Sequence, residues 1–61
     1  MAFVEVHLIE GRTVEQKRAL TGAITAALVS NAGANPDFIH VVLTEYSKDN
    51  WARSGELLSD M

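Results

Sequence analysis

The sequence predicts an α/β fold in which one helix connects two parallel strands, and in which copies of this protomer assemble into an oligomer. Two segments, residues 3–9 and 39–46, carry the two-residue periodicity of a strand. Between them, apolar residues recur at the three- and four-residue spacing of a helix. A single helix covers only one face of a two-stranded sheet, and two strands are too few to be stable alone in water. Association is therefore expected to cover the other face.

Length and composition limit the chain to one small domain, residues 1–61. A domain of this size buries only about 60% of its unfolded surface, yet 48% of its residues are hydrophobic. The chain has no cysteine, so disulfides and thiolate metal ligands are excluded and self-association is the remaining stabiliser. The net charge of −3 argues against a nucleic-acid partner. No apolar run approaches ~20 residues and no signal peptide is visible, so we expect no membrane partner and a cytoplasmic location.

The first strand places the start of the chain beside the sheet. Val4, Val6 and Leu8 form a uniformly apolar face. The opposite face is mixed and consists of Phe3, Glu5, His7 and Ile9. An α-amino group titrates near ~8, so modest burial or a nearby cation can make it a base at neutral pH. The identity of the first two residues therefore decides the chemistry available at this end of the sheet.

The helix has clear start and stop signals. Thr13 and Gln16 fit a capping box, in which each side chain bonds a backbone donor of the other residue. The helix is predicted to end near Asn31, with Gly33 as a left-handed cap. Its predicted apolar stripe consists of Leu20, Ala23, Ile24, Ala27 and Leu28.

The second strand follows a short turn. Asn35 can cap that turn, with Pro36 as its first residue. In residues 39–46 one face consists of Ile39, Val41 and Leu43, and the other of His40, Val42, Thr44 and Tyr46. The strand–helix–strand order predicts parallel strands joined by a right-handed crossover. The uncovered sheet face is then expected to include Phe3, His7, Ile9 and Val42.

Three stretches carry a resemblance to a known family. They are Phe-Val-Glu-Val-His-Leu-Ile-Glu-Gly-Arg at 3–12 with the following Thr-Val-Glu-Gln-Lys, Val-Val-Leu-Thr-Glu at 41–45, and Trp-Ala-Arg-Ser-Gly-Glu-Leu at 51–57. The chain resembles the 4-oxalocrotonate tautomerase family over nearly all 61 residues, without a gap. The resemblance implies a short C-terminal hairpin that packs on a neighbouring subunit, a hexamer built as a trimer of dimers, and active sites shared between subunits.

The resemblance also implies keto–enol tautomerisation without a cofactor. Such a reaction needs a base of near-neutral pKa, a cation for the substrate carboxylate and a donor for the developing enolate. In the family the base is an amino-terminal proline, and Ala2 stands at that position here. If Met1 is removed, Ala2 supplies a primary amine, a weaker base that can also form an imine with a carbonyl substrate. If Met1 is retained, the Ala2 nitrogen is a non-basic amide.

Two further residues match the family's substrate site. Arg12 corresponds to the arginine that binds a substrate carboxylate, and its alternative is a solvated arginine bonded to a protein carboxylate. Trp51 corresponds to an aromatic residue, usually Phe, that keeps the pocket apolar, and it can also anchor an interface. Ile9 and Phe38 complete the expected substrate-binding set.

His40 and Arg53 depart from the family pattern. His40 stands where the family has a second arginine, but histidine carries less charge at pH 7 and cannot form a two-pronged carboxylate bond. Its alternative is a strand histidine hydrogen-bonded across an interface. Arg53 is a candidate replacement cation, or else a surface charge. His7 is interpreted as structural, and His7 and His40 lack the spacing of a metal site.

The leading hypothesis is a tautomerase for a small unsaturated 2-oxo or 2-hydroxy acid of the 4-oxalocrotonate or 2-hydroxymuconate type. Its expected partners are a small carboxylic acid substrate and other subunits, in a homo-oligomer, a hexamer, or a hetero-hexamer with a proline-bearing relative. The alternative is a non-catalytic subunit of such a hetero-oligomer. A third hypothesis is a hydratase or dehalogenase of small acrylates, although the acidic residue of such relatives is replaced here by Arg53.

Overall fold

The computed structural model describes residues 1–61 and contains the predicted elements in the predicted order. These are strand β1 (Ala2–Ile9), helix α1 (Val14–Ala32), strand β2 (Ile39–Tyr46) and a hairpin of strands β3 (Ala52–Arg53) and β4 (Glu56–Leu57). Single 3-10 turns lie at Pro36–Phe38, Lys48–Asn50 and Leu58–Asp60. The predicted β-α-β protomer with a short C-terminal hairpin is therefore confirmed.

Strands β1 and β2 are parallel, as predicted, and they pair along their full length. Ala2 lies opposite Ile39 at one end of the sheet, and Ile9 lies opposite Tyr46 at the other. The face toward α1 carries half-buried side chains from both strands, namely Val4, Val6, Leu8, Ile39, Val41 and Leu43. This in-register pairing fixes which residues lie at each of the two ends of the sheet.

Both predicted caps of α1 are present. The Gln16 amide N–H donates to the Thr13 hydroxyl at 3.2 Å, and the Thr13 N–H donates to the Gln16 side chain at 2.9 Å. At the other end Gly33 adopts φ 65°, which a left-handed cap requires. Lys17 forms an ion pair with Glu45, which ties the first turns of α1 to β2.

The buried stripe of α1 differs from the predicted one. Leu20, Ile24 and Leu28 are half-buried as expected, but Ala23 and Ala27 are exposed. Their places on the buried side are taken by Lys17, Thr21 and Thr25. The reason is geometric: a two-stranded sheet covers only a narrow strip of a helix, and Lys17, which pairs with Glu45 of the sheet, lies on the same helix face as Thr21 and Thr25. The exposed alanines remain available to a neighbouring subunit.

The C-terminal hairpin turns tightly at Ser54 and Gly55. Both residues have positive φ, 53° and 79°, which is the signature of a type I′ turn. The hairpin extends away from the β-α-β unit, and the chain measures 42 Å along its longest axis. Its radius of gyration, 14.5 Å, exceeds the value of about 10.5 Å expected for a compact domain of this length.

The isolated protomer leaves much apolar surface exposed. None of its 61 residues is buried, and its accessible area is 4508 Å², against about 3,900 Å² expected for a compact protein of this mass. Phe3 is 65% exposed and Val42 is 43% exposed, and both lie on the sheet face opposite α1. No helix has the length and apolar character needed to cross a bilayer.

We expect this surface to prevent the protomer from persisting alone. Sedimentation velocity at micromolar concentration should show an oligomer, with a hexamer as the expected species, because a second subunit removes Phe3 and Val42 from water. A Val42→Glu variant, which places a charge on the same face, should shift the distribution toward smaller and less stable species. A folded monomer of the unmodified chain would contradict this expectation.

Candidate active site

The seven predicted site residues fall into two groups at opposite ends of the sheet. Ala2 opens β1, whereas Arg12 lies just beyond its last residue, Ile9. At the usual rise of a strand, the seven steps from Ala2 to Ile9 span ~23 Å. No single protomer can therefore bring the Ala2 nitrogen and the Arg12 guanidinium onto one small substrate.

Ala2, Phe38 and His40 form the first group. Ala2 pairs with Ile39, which lies between the other two residues in sequence, so all three are within one end of the sheet. Phe38 ends a 3-10 turn and is 51% exposed. His40 is also exposed, and its ring forms no hydrogen bond within the chain. This end offers a nitrogen, an apolar ring and an imidazole on an open surface.

Arg12 and Ile9 form the core of the second group. The Arg12 Nη1 donates to the Ile9 carbonyl at 2.8 Å, which fixes the guanidinium beside the exit of β1. The chain contains two ion pairs, Glu5–His7 and Lys17–Glu45, and Arg12 is in neither. Within the single chain, Arg12 thus has no carboxylate partner. Its remaining N–H groups can donate to a carboxylate, which guanidinium binds in a fork.

Trp51 lies at the same end of the sheet as Arg12. Its ring meets the Tyr46 ring edge-on, with centroids 5.7 Å apart at 74°. Beside the two rings is an open cavity of about 350 Å³, lined by His7, Tyr46, Asn50, Trp51 and Ala52. The volume is within the range of small-molecule sites. Trp51 therefore forms part of the wall of a largely uncharged recess.

Arg53 is on the first strand of the hairpin, two residues beyond Trp51. It is exposed, and its Nη2 is 4.0 Å from the Met61 sulfur. Its strand partner is Glu56, but the two side chains form no ion pair. Within one protomer Arg53 thus belongs to the Arg12 end, not the His40 end.

Sequence reasoning missed four residues of the recess, namely His7, Tyr46, Asn50 and Ala52. His7 and Tyr46 lie on the same sheet face, and the His7 Nδ1 is 2.8 Å from the Tyr46 hydroxyl. The sequence placed both on the mixed face, and an aromatic residue ending β2 opposite Ile9 was the available signal. No group of three or more His, Asp or Glu side chains converges at either end.

Comparison with known proteins identifies close relatives. Residues 3–61 match the family described as Tautomerase enzyme. A probable tautomerase of Halalkalibacterium halodurans is 47% identical over 60 residues, covering 98% of each chain. A 2-hydroxymuconate tautomerase of Bacillus subtilis is 44% identical, covering all of this chain and 98% of its own. The crystal structure of YwhB, a homologue of 4-oxalocrotonate tautomerase, superposes with a TM-score of 0.93 at 44% identity over 97% of each chain.

Proposed function

The chain belongs to the tautomerase family, and from that premise we propose that it isomerises a small unsaturated 2-oxo or 2-hydroxy acid of the 2-hydroxymuconate type. The observation that carries the proposal is the Arg12 guanidinium, which is held at the end of β1 by one backbone bond and has no anionic partner. A carboxylate is the natural ligand of such a group. The similarity to the Bacillus subtilis protein named 2-hydroxymuconate tautomerase supports this choice of substrate class.

The proposed chemistry moves one proton. A base takes the hydroxyl proton of the enol and returns a proton to a carbon of the conjugated chain, while Arg12 holds the carboxylate and withdraws electron density. With Met1 removed, the Ala2 amine is the candidate base, and His40, which pairs with Phe3, lies at the same end of the sheet. Trp51 keeps water away from the substrate's apolar part.

The separation within one protomer dictates how this site must form. Ala2 and His40 from one subunit have to meet Arg12 and Trp51 from another, because the two groups lie ~23 Å apart along the sheet. An oligomer that joins opposite ends of neighbouring sheets satisfies this requirement. The proposed active site is therefore also a proposed subunit interface, which explains why no residue of either group is buried in the single chain.

The direct test is an ultraviolet assay of the purified chain with 2-hydroxymuconate and with phenylenolpyruvate. We expect slow but measurable ketonisation above the uncatalysed rate, because carboxylate binding and orientation remain when the best base is missing. Mass spectrometry of the same sample should establish whether Met1 is present. Rates equal to buffer for processed protein on both compounds would contradict catalysis by this chain alone.

A second function is favoured by one observation, the alanine at position 2. A subunit that supplies Arg12 and Trp51 to a neighbour needs no base of its own, so this chain could complete a hetero-oligomer with a proline-bearing relative. In that case the chain alone is inactive, and mixing it with such a relative restores activity that depends on Arg12. Refolding the two chains together, with Arg12→Ala as the control, separates this function from catalysis by a homo-oligomer.

A further inference from the structure

Three aromatic side chains form a continuous ladder from β1 to the C-terminal segment. The His7 and Tyr46 rings stack with centroids 5.7 Å apart and planes inclined by 28°. Tyr46 then contacts Trp51 edge-on at the same centroid distance. The 2.8 Å bond between the His7 Nδ1 and the Tyr46 hydroxyl holds the first two rings together. His7, Tyr46 and Trp51 thus make up one wall of the 350 Å³ cavity.

The ring of Tyr46 contacts Trp51 directly and can therefore set its orientation. The main contact of the hairpin outside itself is with the 3-10 turn Lys48–Asn50, and that turn also contacts the last one, Leu58–Asp60. The segment after β2 therefore relies on few contacts for its placement, and the ring of Tyr46, the last residue of β2, is one of them. A small rotation of the Tyr46 ring would move Trp51. Because an unconstrained phenol ring changes rotamer readily, Tyr46 needs a contact that holds its ring in place.

His7 supplies the constraint on Tyr46. Its Nε2 lies 3.4 Å from a Glu5 carboxylate oxygen, an acceptor that favours the tautomer with the ring proton on Nε2. The Nδ1 of neutral His7 is then an acceptor, and the Tyr46 hydroxyl donates to it. If His7 is protonated, Nδ1 donates and the phenol oxygen accepts, so the bond survives either charge state. The constraint is thus a matter of geometry and does not depend on the charge of His7.

We propose that Tyr46 is a positioning residue for Trp51, and that His7 locks Tyr46 in the orientation that shapes the wall of the substrate recess. The effect on catalysis rests on the proposed function, in which Trp51 contacts the apolar part of the substrate. Its structural half stands apart from activity and can be measured without a substrate. The sequence interpretation of His7 as a structural residue is kept, and the proposal names what it holds in place.

The experiment uses Trp51 as its own reporter, since it is the only tryptophan in the chain. Fluorescence anisotropy and acrylamide quenching of Trp51 are measured in the unmodified oligomer and in Tyr46→Phe, which keeps the ring and removes the hydroxyl. A neutral hydrogen bond biases a two-state equilibrium by about 2- to 10-fold. Tyr46→Phe and His7→Leu should therefore lower the anisotropy and raise quenching. His7→Gln, which retains an acceptor for the phenol, should restore part of the unmodified signal.

A matched control is available on the same sheet face. Thr44 lies opposite His7, and its hydroxyl makes no hydrogen bond, so Thr44→Val removes a hydroxyl without removing any bond of the ladder. It should leave the Trp51 signal unchanged. Sedimentation and far-ultraviolet circular dichroism confirm that each variant keeps its assembly and fold. If His7→Leu fails to fold, Tyr46→Phe and His7→Gln still decide the question.

Kinetics with 2-hydroxymuconate then test the catalytic half. Tyr46→Phe should raise KM by about 2- to 10-fold, with a smaller effect on kcat, because it disturbs the wall rather than the base. An unchanged Trp51 signal in both Tyr46→Phe and His7→Leu would overturn the proposal. A changed signal with unchanged KM would overturn only its link to the substrate. Inactivity of every form, including the unmodified chain, would count against the proposed function and leave the Trp51 result to stand by itself.

Discussion

Replacing Ala2 with proline should raise tautomerase activity by about 10²–10⁴-fold, the usual contribution of a positioned general base. A terminal proline supplies a secondary amine at the start of β1, where Ala2 supplies at best a primary one. In the proposed oligomer, Arg12, Ile9 and Trp51 of a neighbouring subunit act together with this base. The activity is measured with 2-hydroxymuconate after mass spectrometry has shown that Met1 is absent.

The pH–rate profile of the proline variant gives a second measure. A terminal amine acts as a base only when it is unprotonated, so kcat/KM should rise with pH along one limb and then level off. Model α-amino groups titrate at ~7.7–8.0, which places the limb in an accessible range. The control is Ala2→Ser, which keeps a primary amine and should not show the gain in activity. Mass spectrometry must show that this variant has also lost Met1.

The result that would contradict catalysis is equally clear. If correctly processed Ala2→Pro protein stays at the background rate on several 2-oxo acid enols, the fault is not the missing base. The recess would then serve a neighbouring chain, as in the hetero-oligomer described above. Activity that appears only after mixing with a proline-bearing relative would establish that role.

Replacing Arg12 with alanine should weaken acid substrates by about 2–3 kcal/mol, the scale of a charge-assisted hydrogen bond. This corresponds to a loss of roughly 30- to 150-fold in kcat/KM. The guanidinium makes one bond to its own protomer, to the Ile9 carbonyl, so its removal should leave the fold intact. The measurement is best made in the Ala2→Pro background, where the signal is larger.

The matched control is Arg18→Ala, which removes an exposed arginine on α1 that is in no ion pair. It should leave the kinetics unchanged, and circular dichroism should show both variants folded. Arg12→Lys keeps the charge but not the planar fork, and should recover only part of the loss. Equal kinetics for Arg12→Ala and Arg18→Ala would mean that Arg12 binds no substrate.

Local patterns in the sequence were sufficient for the elements. The two-residue period gave both strands, and the second one, Ile39–Tyr46, begins and ends where it was predicted. The caps at Thr13 and Gly33 were predictable because each depends on side chains and backbone groups a few residues apart. The roles of Arg12 and Trp51 came from the family resemblance at their positions, and these roles stay predictions.

Tertiary structure decided which of these residues lie close together in the folded chain. Ala2, Phe38 and His40 lie at one end of the sheet and Arg12 with Trp51 at the other, because parallel pairing in register fixes the ends. The turn of α1 toward Thr21 and Thr25 depends on its packing against β2. The bond between His7 and Tyr46 joins residues 39 positions apart, and no local pattern encodes such a contact. Periodicity and capping are set by near neighbours along the chain, whereas distances across a sheet depend on how separate elements pack.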